Sequence, residues 1–513
     1  MRNAETQAAW EYHNATKHSP ESVRRSRHFL DWSNQPRPYK LYAHLEGQPL
    51  PPPRVSAAPA LPAIATVGMP RDQERVPDLQ TLAAVLHFSA GITKRLRYPG
   101  GVMAFRAAAC TGALYHIELY VITGPLHALE AGVYHYGVHD HALRRLRAGD
   151  YRGVLVEATG QEPAVGTAPT LVAYTSTFWR NAWKYQARAY RHSFWDSGTI
   201  LANTLAVAAA HQLPARVVAG FVDATVNRLL DVDGEREAAI ALVPLGYAPA
   251  RRAGAAPPVD LLGLETVPVS PREVDYPLIR QMHAASALVR PDEVAAWRAA
   301  APRLPRPAPA GPLIPLRPLE VLPQEPIETV IRRRGSTRRF APTPITFEAL
   351  STVLAVATRG IEADFLPAPT AALTDLYLIV NAVEGLPSGT YVFHREQQAL
   401  EQLAAGSFRE EAGFLALAQQ LGADAAVNVY FLADLAPILA ALGNRGYRAA
   451  QLDASIAAGK LYLAAYALGL GATGLTFFDD LVTEFFAPHA RGKSVMFLIA
   501  LGQPAYGRSR QAG

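Results

Sequence analysis

Cysteine is nearly absent: Cys110 is the single one in 513 residues. That excludes an intrachain disulfide and any cysteine-based metal cluster, and makes a reducing cytoplasm the expected setting. Net charge is sparse as well. Lys and Arg number 49 against 44 Asp and Glu, a surplus of +5 along the whole chain. So dilute an excess is no electrostatic footprint for nucleic acid, and no such partner is expected. Long apolar runs are missing too. Residues 200–210 and 461–478 are the most apolar, but they are too short or too interrupted by glycine to cross a bilayer, and Lys460 abuts the second. Residues 1–13 are polar and mixed in charge, without the apolar centre of an export signal. No membrane association is expected.

What the chain does have is core-forming material. Half of it is apolar and 9% aromatic, which excludes wholesale disorder. Its length points to two to four domains. Its 41 prolines concentrate in two places, residues 48–62 and the longer stretch from about 248 to 326. Proline at that density favours extended geometry and suits a semi-rigid strap, broken by one short helix at 292–301. The expected organisation is an N-terminal arm (1–59), a first domain (60–248), a linker (249–326) and a second domain (327–513).

The two domains read as copies. GVYHYGVHDHALRRLRAG at 132–149 lies opposite GTYVFHREQQALEQLAAG at 389–406, an offset of 389 − 132 = 257. The same offset takes Tyr120 to Tyr377 and Arg188-Ala189-Tyr190-Arg191 to Arg445-Gly446-Tyr447-Arg448. After each RxYR comes a long apolar helix, then a strand-like piece ending at Asp223 or Asp480. Both aspartates read as turn or cap residues. Helices and strands mix without a strict βαβ rhythm, so the fold class is α+β. A duplication of this kind suggests an intrachain pseudo-dimer, present as a monomer or as a higher homo-oligomer.

Several segments carry a family resemblance: Arg334-Gly335-Ser336-Thr337-Arg338-Arg339-Phe340, RAAACTGALYHIELYVI at 106–122, LAAYALGLGATG at 463–474, and Lys184-Tyr185 followed by the RxYR run. Together they resemble the nitroreductase superfamily, and within it the SagB-type dehydrogenases. The resemblance implies an α+β fold in which two tandem nitroreductase-like domains pair around FMN. It implies that Arg334, Ser336 and Arg338 hold the phosphate, with Arg508 near the C-terminus as a further basic contact. It also implies that Gly471, Ala472, Thr473 and Gly474 run along the flavin. Ala109, Cys110, Thr111 and Gly112 then approach it from the other domain, with Cys110 as a contact and not a nucleophile. The chemistry agrees: arginine pairs bidentately with phosphate oxygens, and glycine lets backbone come close to a ring. On the residues alone the basic run at 332–339 reads first as solvated surface, and the glycines as a helix cap.

The halves differ where it matters. Residues 63–71 contain no RxSxR, the first domain's counterpart of the glycine segment is QLPARV (212–217), and the second domain's counterpart of 109–115 is the degraded PAPTAALTD (367–375). One FMN per chain is therefore expected. Lys184 and Tyr185 are the candidate catalytic pair, implied by the azoline-oxidising members; an exposed lysine beside a core tyrosine fits the residues alone equally well. The expected activity is hydride transfer to or from FMN on a small-molecule or modified-peptide substrate, with NAD(P)H as a possible electron donor. Oxidation of azolines in a peptide and flavin storage without turnover are the alternatives. His135, His139 and His141 read as solvated hairpin residues and not as a metal site. Trp179, Trp183 and Trp195 read as core, and Arg25-Ser26-Arg27 as part of an arm wrapping the other domain.

Overall fold

A computed structural model describes residues 2–98 and 101–505. Each half builds one large antiparallel sheet, beside a two-stranded one. The first runs in the order Gln48–Pro49, Ala142–Ala148, Gly132–Gly137, Ile117–Thr123, Thr170–Thr177, Glu237–Leu245. The second runs Gly471–Gly474, Ser494–Gly502, Val427–Ala433, Asp375–Val380, Gly389–His394, Ala399–Ala405, Leu313–Pro315. The central strands are buried on both faces, which is why they read as near-continuous apolar runs. Helices cover them, giving the expected α+β class. Helix Leu79–Ala90 of the first half and its equivalent Phe347–Ala357 each start at a side-chain cap: Asp78 accepts from the Thr81 amide at 2.7 Å, and Thr346 from the Ala349 amide at 3.1 Å.

The offset of 257 holds in three dimensions. It relates Phe178–Tyr185 to Leu435–Leu442 and Glu237–Leu245 to Ser494–Gly502. The long helices Ala189–Ala210 and Arg445–Ala467 are buried nearly all round and pack on each other. A Cβ on Gly198 would collide with Ser455, its own equivalent, so the pseudo-two-fold axis passes between them. Small residues at this crossing let the two backbones approach closely.

The RxYR motifs lock the halves together. Arg188 and Arg191 of the first half pair with Asp479 of the second, at 2.9 and 2.6 Å. Arg445 and Arg448 pair with Asp223 of the first half, at 2.6 and 2.8 Å. All six side chains are buried. The expectation of turn or cap aspartates is thus corrected. Asp223 and Asp479 are interdomain acceptors, whereas Asp480 is exposed and meets Lys17 at 2.7 Å. The register slips by one residue here because the glycine-rich segment of the second half is shorter than its counterpart.

The repeat also reaches into the segments read as arm and linker. Helix Gln7–Ala15 offers the carbonyls of His13 and, just beyond it, Thr16 to Arg191 and Arg188. Helix Pro277–Ala285 offers those of His283 and Ser286 to Arg448 and Arg445. The proline-rich stretch thus holds two helices, Pro277–Ala285 and Pro291–Ala299, where one was expected. The arm crosses onto the second half, where Asn444 accepts from the Ala9 amide at 2.9 Å.

Candidate functional site

The chosen residues of the two halves meet at one interface. Helix Ile327–Arg333 ends at Arg334, whose guanidinium crosses to the first half and donates to the carbonyls of Ala107 (2.9 Å) and Arg106 (3.2 Å). Arg334 therefore ties the two halves together instead of presenting a free fork. Ser336 shares a hydrogen bond with the Tyr462 hydroxyl at 3.0 Å, and Thr337 one with the Tyr466 hydroxyl at 3.2 Å. Tyr462 and Tyr466 stand one turn apart on the long helix with their rings stacked. Arg338 is exposed and makes no ion pair or side-chain hydrogen bond among the described residues.

Beside this loop lies the glycine segment. Residues Gly471–Gly474 are an edge strand on Ser494–Gly502, not a helix cap; the left-handed residue at the helix end is Gly469, at φ +75°. Thr337 donates its amide to the Ala472 carbonyl at 2.9 Å, and Gly474 donates to the Tyr462 hydroxyl at 3.2 Å. Residues two apart in a strand share an edge, so this edge faces the Arg334–Arg338 loop. A Cβ on Gly471 would run into Thr337. Thr473 is buried in the same strand.

The first half contributes residues 109–112, which Asp196 holds on the long helix Ala189–Ala210. Its carboxylate accepts from the Thr111 amide (2.9 Å) and hydroxyl (2.8 Å) and from the Cys110 thiol (3.0 Å), and it meets His116 Nε2 at 2.9 Å. Thr199 fixes the Ala109 carbonyl at 2.8 Å. Burial first, then the Asp196 charge, pushes the Cys110 thiol well up, so it stays protonated and acts as a donor. Gly112 sits at φ +64°, and a Cβ there would stand 2.8 Å from the Tyr185 hydroxyl oxygen.

Tyr185 ends helix Phe178–Tyr185 and packs edge-on against His192 at 4.6 Å. Burial, with Asp196 and Cys110 beside it, raises its hydroxyl, and Arg338 from the other half opposes that. Lys184 is half-buried, its ammonium 5.4 Å from the Tyr185 ring. Arg508 lies outside the described residues. Sequence reasoning missed Asp196, His116, Tyr462 and Tyr466. A lone aspartate inside an apolar helix was a signal for the first; tyrosines in a buried helix gave none.

The opposite interface is filled by the chain itself. Arg71 pairs with Glu362 at 2.7 Å where the second half has its Arg334–Arg338 loop. Asp364 accepts from the amides of Ala219 and Gly220, both at 2.8 Å, and burial pushes its carboxyl up to about 6 against those bonds. The Trp297 indole presses on Gly220 and donates to the Leu442 carbonyl at 3.0 Å.

The histidine expectation needs a correction. His135 is buried in a strand and meets Glu118 at 3.1 Å, because burial of that carboxylate demands donors from Arg180 and His135 together. His139 and His141 are only half-buried, and the three do not converge. Among the described residues, the His/Cys/Asp/Glu trio close enough to share an ion is Cys110, His116 and Asp196, whose carboxylate is already occupied by the bonds above. Trp179, Trp183 and Trp195 are core, as expected.

The pattern of the family described as "Nitroreductase family" matches residues 72–247 and again 331–503. The chain belongs to the nitroreductase family. A candidate nitroreductase of Methanocaldococcus jannaschii, MJ1384, is 28% identical over 164 residues, covering 31% of this chain and 82% of that protein. The trifolitoxin-processing protein TfxB of Rhizobium leguminosarum bv. trifolii is 30% identical over 168 residues, 32% of this chain and 45% of its own length. The crystal structure of a candidate nitroreductase from Anabaena variabilis matches with a TM-score of 0.76 and 28% identity, over 97% of this chain and 99% of that one. The tandem arrangement of nitroreductase domains is thus shared along its full length. No helix among the described residues is long and apolar enough to cross a membrane.

Proposed function

We propose that this nitroreductase is an FMN-dependent oxidoreductase holding one FMN between its halves. The observation that carries the reading is the asymmetry: one interface joins the 334–338 loop, with the glycine edge against it, to the carbonyls of Arg106 and Ala107 just ahead of the 109–112 loop, while the other is occupied by Trp297, Asp364 and the Arg71–Glu362 pair. FMN, when bound, supplies reversible acceptance of a hydride equivalent. Arg338 and Ser336, with Arg508, would hold its phosphate, and the edge Gly471–Gly474 would lie along its ring. Residues 109–112 would exclude water from the other side. Lys184 would take a proton from substrate at Nζ, and the Tyr185 hydroxyl, kept protonated by burial, would donate a hydrogen bond.

A second reading, oxidation of azoline rings in a modified peptide, is favoured by the Lys184-Tyr185 pair and by the similarity to a toxin-processing protein. Flavin released on denaturation, quantified per chain, tests the primary reading. The expected ratio is near one; a ratio near zero or two overturns it. Rapid mixing of Lys184→Ala with NADPH then separates the substrates. Undiminished flavin bleaching with loss of azoline oxidation assigns the lysine to the peptide reaction.

A further inference from the structure

A groove of about 740 Å³ opens on the second half, away from the residues assigned to the interdomain site. Its floor includes Ala355 and Val356 of helix Phe347–Ala357, and the proline-rich segment supplies Leu319 and Leu322 as an apolar wall. Four arginines line it, Arg303, Arg306, Arg359 and Arg395, against one acid, Glu396. Arg306 is engaged by Asp375 at 3.0 Å, and Arg395 gives one N–H to the Thr358 carbonyl at 2.6 Å. Arg303 and Arg359 are exposed, and their side chains have no ion-pair or hydrogen-bond partner among the described residues.

The internal repeat shows why the groove is open. In the first half the equivalent helix, Leu79–Ala90, is followed by the hairpin Ile92–Tyr98 and Gly101–Arg106. Arg95 of that hairpin donates to the His139 carbonyl at 3.4 Å, and His139 is the equivalent of Glu396 (396 − 139 = 257). In the second half residues 358–374 form no hairpin, so the corresponding place lacks that cover. With Arg306 paired to Asp375, Arg303 and Arg359 remain without a countercharge beside Arg395 over an apolar floor, a cost that an anion would relieve. Guanidinium groups pair with carboxylate or phosphate, and the apolar walls suit a hydrocarbon or aromatic body.

We propose that this groove binds an amphipathic organic anion, a carboxylate or phosphate ester with an apolar body. The site is separate from the one between the halves. The probe is 8-anilinonaphthalene-1-sulfonate, an anion on an aromatic frame, titrated into the full chain by calorimetry and fluorescence. Saturable binding, one per chain and weakened by salt, is expected. Arg303→Ala/Arg359→Ala changes only exposed side chains and should weaken it roughly tenfold or more. Arg338→Ala, an exposed change in the interdomain loop, should leave it unchanged. Octanoate and octyl phosphate should each displace the probe, and the more effective one identifies the head group. The proposal is overturned by absence of saturable binding, by unchanged affinity in the double arginine variant, by loss of binding in Arg338→Ala, or by failure of both competitors.

Discussion

Lys460 lies inside the long helix Arg445–Ala467, fully buried, with its ammonium donating to the Gly360 carbonyl at 2.8 Å. Burial, with Arg395 adding to it, lowers its pKa to about 7. An unfolded lysine titrates near 10.4. Between those values the unfolded chain binds the extra proton, so stability rises with pH there, and below about 7 the full penalty of a buried cation applies. Lys460→Met keeps the volume and removes the charge. It should raise the melting temperature at pH 6.5, and that advantage should shrink steadily towards pH 9.5. An equal difference at both pH values would show that burial does not burden this lysine.

At the scale of the element, the loop 109–112 owes its shape to one carboxylate on the neighbouring helix. Asp196 gathers two donors from Thr111 and one from Cys110, and meets His116. Asp196→Asn would replace an acceptor oxygen with an amide donor facing other donors. The expected cost is about 1–3 kcal/mol. The Cys110 thiol, no longer held up by that charge, should react faster with a disulfide reagent, and with a single cysteine the readout is unambiguous. An unchanged labelling rate would mean that Asp196 does not set the state of the thiol.

This element also shows what the sequence makes legible. The segment around Cys110 stands out because its residues follow one another along the chain. Its clamp does not, because Asp196 lies 86 positions downstream of Cys110. The same holds for Tyr462 and Tyr466, which face the Arg334–Arg338 loop from more than a hundred residues away. Strand pairing kept the offset of 257 visible, since insertions inside a ladder would turn side chains to the wrong face. The helices Gln7–Ala15 and Pro277–Ala285 were hidden. They share little beyond a histidine and the hydroxyl residue that follows the helix, His13 and Thr16 against His283 and Ser286, because backbone carbonyls make several of the contacts to the arginines.

The whole molecule is held by two reciprocal clusters in which each half supplies two arginines and receives one aspartate. Burial alone would raise the Asp223 carboxyl, but Arg445 and Arg448 outweigh it and hold it at about 2. The pair Arg188 and Arg191 holds Asp479 well below the usual range in the same way. Since an unfolded aspartate titrates near 3.9, this stability is present in full above about pH 4 and is lost as pH falls through about 2. Asp223→Asn leaves two buried guanidiniums without their countercharge and should cost about 3–5 kcal/mol. Because the acceptor sits in one half and the donors in the other, the loss should appear as a lower midpoint of the whole chain's urea unfolding at pH 7. Between pH 4 and pH 2 the gap between wild type and variant should narrow, because acid neutralises the wild-type carboxylate as well. A gap that stays constant across that range would mean that Asp223 does not carry the charge that joins the halves.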